Sequence, residues 1–139
     1  MKTIKYLKQV NLLYIRFFES TSQDDILQTL KDLVSNNDLS EGLSIITDYS
    51  DAIIAESNPH KIIELADFVL STFPNRFKKV IWNNVSSSPK TSAGAAIFAN
   101  KLADSNILYR YFSSLDEAFK RIAFSEQFIR MHNDSIITE

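Results

Sequence analysis

The sequence contains no cysteine, only two glycines and three prolines, and two histidines. The missing cysteine removes thiol nucleophiles, disulfides and thiolate metal sites together, and it is compatible with the cytoplasm. His60 and His132 lie far apart, with no carboxylate at ligand spacing, so neither a metal centre nor a histidine general base is expected. There is also little net charge. Fifteen basic against seventeen acidic residues leave −2, which gives no electrostatic reason to expect a nucleic-acid partner. No stretch approaches the ~20 apolar residues of a membrane helix. Lys2, Lys5 and Lys8 interrupt any signal-peptide core. A cytoplasmic protein without a transmembrane segment, and without a cofactor, is the expectation.

The chain has 139 residues, of which 45% are hydrophobic, so it can bury a core as one domain with no covalent or metal staple. Residues 1–131 are read as that domain and 132–139, which lack periodicity, as a tail. Because breakers are few, each carries weight. "IKYLKQ" and "LLYIRFF" are rich in strand formers, with Val10-Asn11 between them, and read as an antiparallel hairpin over about residues 3–9 and 12–18. Ile26, Leu27, Leu30, Leu33 and Val34 make a helical stripe behind a capping box from Ser22 to Asp25, and Asn36-Asn37 end it.

Gly42 then introduces a buried strand, "LSIITD". Pro59 opens a second helix with Ile62, Ile63, Ala66, Val69 and Leu70 on one face, and Pro74 is expected to stop it. "FKKVIWNN" is the next strand, with Trp82 in its interior. "AGAAIFANKLA" is a third helix and "ILYRYF" a further strand. A last helix starts with a capping box from Ser114 to Glu117 and is expected to run to about residue 130. The order β-β-α-β-α-β-α-β-α predicts an α/β domain with a single mixed, mostly parallel sheet, an N-terminal β-hairpin and about four helices.

This order and several segments resemble the SpoIIAA-like family of small bacterial proteins, whose fold is that of STAS domains. The segments are "IKYLKQVNLLYIRFF", "DDILQTLKDLVSNNDLSEGLSIITDYSDA" and "YRYFSSLDEAFKRI", and the similarity spans about residues 1–124. They are packing patterns, not catalytic motifs. The resemblance implies a regulatory, protein-binding module. In STAS antagonists an Asp-Ser-Ser-Gly motif opens a helix, and its second Ser is phosphorylated. Laid over this chain, the motif falls on Glu56, Ser57, Asn58 and Pro59, so an amide stands where the phosphate acceptor would be. Asn58-Pro59 also reads as an N-cap followed by a first helical residue. That leaves Ser57 as the shifted candidate for a switch.

Ligands of open parallel sheets bind beyond the carboxyl ends of the strands. Two connections leave such ends, from Asp48 to Ser57 and from Asn83 to Thr91. They would form a rim carrying Asp48, Ser50, Ser57, Asn58, Ser86, Ser87, Ser88, Lys90 and Thr91. The rim reads either as a regulatory or ligand surface, or as two solvated connections in which Ser is common because it caps and turns well. "SSSPKTSAG" lacks the spacing of a phosphate loop. Asp24-Asp25 and Asp116-Glu117 sit at helix starts, where acids suit the dipole better than they suit acid–base work. Phe124, Phe128, Ile129 and Met131 fit a longer core seam, a homodimer contact, or an apolar patch for a partner or lipid.

The reading is a non-enzymatic, STAS-like interaction module without the usual phosphorylatable Ser. The alternative is a carrier or sensor of an apolar small ligand or lipid, on the resemblance of the fold to CRAL-TRIO domains. A solid core under a polar rim would favour the first. An apolar cavity beneath the second and third helices would favour the second.

Overall fold

The computed structural model describes residues 1–54 and 58–121. Its five strands are β1 (Lys2–Leu7), β2 (Leu12–Ser20), β3 (Gly42–Ile53), β4 (Lys79–Val85) and β5 (Ile107–Phe112). Its helices are α1 (Gln23–Val34), α2 (Pro59–Arg76), α3 (Pro89–Leu102) and α4 (Leu115–Arg121). The expected α/β class and element order are observed. One sheet has the strand order β1-β2-β3-β4-β5. β1 and β2 are antiparallel and every later pair is parallel.

Strands added one after another in the same direction, with crossovers of one hand, carry their helices to one face. Accordingly Leu13, Ile15 and Phe17 of β2, Leu43 and Ile45 of β3, and Val80 and Trp82 of β4 pack with residues of α1, α2 and α3. Val69 and Phe73 of α2 are completely buried there. Removing a ring such as Phe73 from water contributes about 1.5–3 kcal/mol. The opposite face packs Leu12, Tyr14, Ile46 and Val85 against Ala118 and Phe119 of α4. Ile45, Ile46, Val80 and Trp82 are buried in adjacent strands, as two-sided coverage requires. Ile81 is only half-buried, because it points to the α4 face while Ala118 and Phe119 pack on Val85 further along the strand.

Several boundaries differ from the sequence reading, each for a local reason. Lys8–Val10 form a 3-10 turn instead of extending β1, and Asn11 closes it in the left-handed region at φ 54°. Asn tolerates that conformation, and its Oδ1 accepts from the Tyr6 hydroxyl at 2.6 Å. α2 continues past Pro74 to Arg76, and the Phe77 amide donates to the Phe73 carbonyl at 2.8 Å. A proline this close to a helix end disturbs only the last turn. α3 begins at Pro89, four residues earlier than expected. The Ser88 hydroxyl accepts from the Thr91 amide, so Ser88-Pro89 repeats the cap-plus-proline start of Asn58-Pro59.

The capping box of α1 is complete. Ser22 Oγ accepts from the Asp25 amide and Asp25 accepts from the Ser22 amide, both at 3.0 Å. That of α4 is made by half. Ser114 Oγ accepts from the Glu117 amide at 3.2 Å, but the Glu117 carboxylate turns to the Ser113 hydroxyl at 2.9 Å. The expected continuation of α4 through Phe124 and Phe128, and the tail from 132, lie outside the described residues.

Candidate functional site

β3 is twice as long as "LSIITD" alone. One extra residue enters it where the pairing steps from Arg16↔Asp48 to Phe18↔Asp51, and its end then pairs with Glu19 and Ser20 of β2. The segment expected as a loop after Asp48 is therefore mostly strand, held by a β2 that also overshoots its predicted end.

Asp48 does not lie on the rim. It is 5% exposed and faces the α4 side, where its carboxylate accepts from the Tyr14 hydroxyl at 3.0 Å and from the Ser50 amide and hydroxyl at 3.0 and 2.6 Å. Burial first, and then the Asp48 charge, push the Tyr14 phenol above its ordinary range. Asp48 is the one buried carboxylate among the described residues, and its lone pairs are taken up in holding the strand end.

The remaining rim residues divide into two sets. Ser50, Ser87 and Lys90 are exposed and bring the two segments together: Ser87 Oγ donates to the Ser50 carbonyl at 3.4 Å, and Lys90 Nζ to the Ile54 carbonyl at 3.1 Å. Ser88 caps α3. Asn58 caps α2, its Oδ1 accepting from the His60 amide at 3.0 Å. The Asn58 backbone is in turn clasped by the Gln23 side chain, which accepts from its amide at 3.1 Å and donates to its carbonyl at 3.3 Å. The start of α2 is thus tied to the start of α1. Ser57 lies outside the described residues. Ser86 and Thr91 turn inward, at 2% and 9% exposure.

They turn toward a cavity of about 80 Å³ between the sheet and the N-terminal turns of α1, α2 and α3. Ile26, Leu30, Ile62, Leu65 and Phe98 supply its apolar wall. Its polar side is a chain of buried hydrogen bonds: Trp82 Nε1 donates to Thr47 Oγ1 at 3.0 Å, Thr47 to Asn84 Oδ1 at 2.8 Å, and Asn84 Nδ2 to Ser86 Oγ at 2.6 Å. Trp82 is gripped by Phe73, Phe98 and Tyr109, with ring centroids 5.2–5.7 Å away. Tyr49 also lines the cavity and stacks on Phe17 at 4.9 Å. Burial raises the Tyr49 and Tyr109 phenols above their ordinary range, and Tyr109 is raised further by Tyr49. Lys90 is exposed and Ile54 half-buried, so the cavity meets the surface beside their contact.

In the sequence Trp82 reads as core alone, and Gln23, Thr47, Tyr49, Asn84 and Tyr109 do not stand out. A signal existed. Thr47 and Tyr49 continue the inward-facing odd positions of β3, and Asn84 and Ser86 the even ones of β4, so polar groups fall on the helix-covered face.

The chain matches no protein-family model and no curated protein. Solved structures share its general layout. The anti-sigma factor antagonist SpoIIAA in its unphosphorylated form is 12% identical, with TM-score 0.48, covering 88% of this chain and 96% of that one. An uncharacterised DUF3478-family protein with a SpoIIAA-like fold, from Shewanella loihica PV-4, is 11% identical, with TM-score 0.47, covering 86% and 90%. The Bacillus cell fate determinant SpoIIAA in its phosphorylated form is 9% identical, with TM-score 0.47, covering 88% and 99%. At these values the likeness is one of chain layout, with no bearing on function.

Proposed function

We propose that this chain is a non-enzymatic sensing module. It takes a small, mainly apolar ligand into the cavity beneath the rim, and the rim passes that occupancy to a protein partner. The cavity carries the reading. Packed domains keep few voids larger than a water molecule, and this one is walled in part by Ser86, Lys90 and Thr91 of the rim itself. A ligand and a partner would therefore touch the same segment. Asp48, the one buried carboxylate among the described residues, is committed to Tyr14 and Ser50 on the other face of the sheet. Asn58 caps α2, and on the resemblance to STAS antagonists it stands where their phosphate acceptor would be, which supports control through occupancy of the cavity.

A module that binds protein without any ligand is the second reading. It is supported by the Ser87–Ser50 and Lys90–Ile54 contacts, which join the two rim segments into one surface.

Mass spectrometry of the protein purified without denaturation from its own host tests the choice. A small-molecule adduct that is lost on denaturation is expected. Adduct-free protein that binds its partner, and loses it on Ser87→Glu, would replace the sensing reading with the second one.

A further inference from the structure

Independently of the cavity, we infer that the free edge of β5 is a docking site for a partner protein, which adds an extended segment carrying one acidic side chain among apolar ones.

β5 ends the sheet, and among the described residues no strand pairs with its outer side. Along a strand, successive residues turn their backbone groups to opposite sides. The Phe112 carbonyl accepts from the Ser86 amide at 2.9 Å, so Phe112 and Arg110 point these groups to β4 while Tyr109 and Tyr111 point theirs outward. The amide of Ile107, which also points outward, is taken by Ser105 Oγ at 3.2 Å. Proteins commonly guard such an edge with lysine, proline or a bulge. β1, at the other edge, carries Lys2 and Lys5. β5 has none of these: it reads "ILYRYF", pairs with β4 in unbroken register, and leaves Leu108 50% and Tyr111 46% exposed.

Charge selects the partner. Arg110 shares a groove along β5 with Phe112 of the same strand and with Glu117 and Lys120 of α4. Among the described residues neither Arg110 nor Lys120 has an ion-pair partner. Arg110 Nε is buried without a hydrogen bond, and the amide of Asn83, opposite it on β4, is buried without one as well. The Glu117 carboxylate is engaged, accepting from the Ser113 hydroxyl and amide at 2.9 and 3.4 Å. Two cations thus share the groove with one occupied carboxylate, and an incoming acid supplies the missing counter-charge. On an added strand the residues two places from that acid share its face and meet Leu108 and Phe112. Those one place away lie on the other face, beside Tyr111. Both kinds of position call for apolar side chains.

The probe is a labelled peptide with blocked ends, Ile-Val-Glu-Val-Ile, compared by fluorescence anisotropy with Ile-Val-Lys-Val-Ile. Saturable binding of the glutamate peptide is expected, about tenfold tighter than that of the lysine peptide. Arg110→Glu should reverse the order. Tyr111→Pro removes an outward amide and no bond to β4, so it should abolish binding of the glutamate peptide. Melting temperatures verify the fold of both variants, and the comparison of the two peptides on the wild-type protein needs neither. No saturable binding of the glutamate peptide, or equal affinity for the two, would overturn the docking site. A concentration-dependent dimer in sedimentation that Tyr111→Pro dissolves would also overturn it, assigning the edge to a second copy of this chain.

Discussion

Replacing Thr47 by Val removes one hydroxyl and keeps the shape of the side chain. Thr47 is 1% exposed, and its Oγ1 both accepts from Trp82 Nε1 at 3.0 Å and donates to Asn84 Oδ1 at 2.8 Å. The substitution therefore leaves a buried indole N–H and a buried amide oxygen without partners. Each hydrogen bond contributes about 0.5–1.5 kcal/mol net, and each orphaned group costs about 1–3 kcal/mol. The adjoining cavity has room for two water molecules at about 30 Å³ each, which can repair part of the loss. The expected destabilisation is therefore about 2 kcal/mol, less than for the same change in a solid core. Urea unfolding followed by Trp82 fluorescence measures it, with the slope of the transition unchanged, since the same surface is exposed. Emission from the folded variant should also shift, because the indole N–H changes partner. A stability within about 0.5 kcal/mol of wild type would refute the claim that this chain of hydrogen bonds supports the sheet.

Asn83, one residue before Asn84, should behave in the opposite way. Both atoms of its amide are buried without a partner, as is Nε of Arg110 opposite it on β5. Asn83→Leu should leave stability equal or raise it by about 1 kcal/mol in thermal unfolding, and a clear loss would show that water or a ligand holds the amide. Asn58→Ala should cost about 1 kcal/mol by denaturant titration. Gln23→Ala should cost about as much, since it frees the Asn58 amide while the Asn58 carbonyl keeps the Lys61 and Ile62 amides. On the alkaline side, Tyr14, Tyr49 and Tyr109 have folded pKa values above their unfolded ones. Their contribution is present in full below the unfolded phenol value and is lost as pH rises from it toward the folded values. Of the five tyrosines, these three should ionise only together with unfolding in a spectrophotometric titration, and ionisation of all five in intact protein would contradict the burial.

What the sequence by itself determined is local. The order of strands and helices follows from the period of the apolar residues, which is written in the chain. The starts of α1 and α2 follow from Ser22, Asn58 and Pro59, whose donors and acceptors lie within three residues of their partners. Ser88-Pro89 carries the same signal for α3, within a run of serines that reads equally well as a loop. The absence of disulfides and thiol chemistry follows from the missing cysteine and likewise needed no coordinates. Tertiary structure decided the rest. β3 runs on to Ile53 only because β2 is there to pair with it. Asp48 leaves the rim because Tyr14, thirty-four positions earlier, offers it a hydroxyl on the opposite face. The cavity is volume left between a sheet and three helices, bounded by side chains from Gln23 to Tyr109. Its size depends on how closely those elements approach, and no spacing within a single segment encodes that distance.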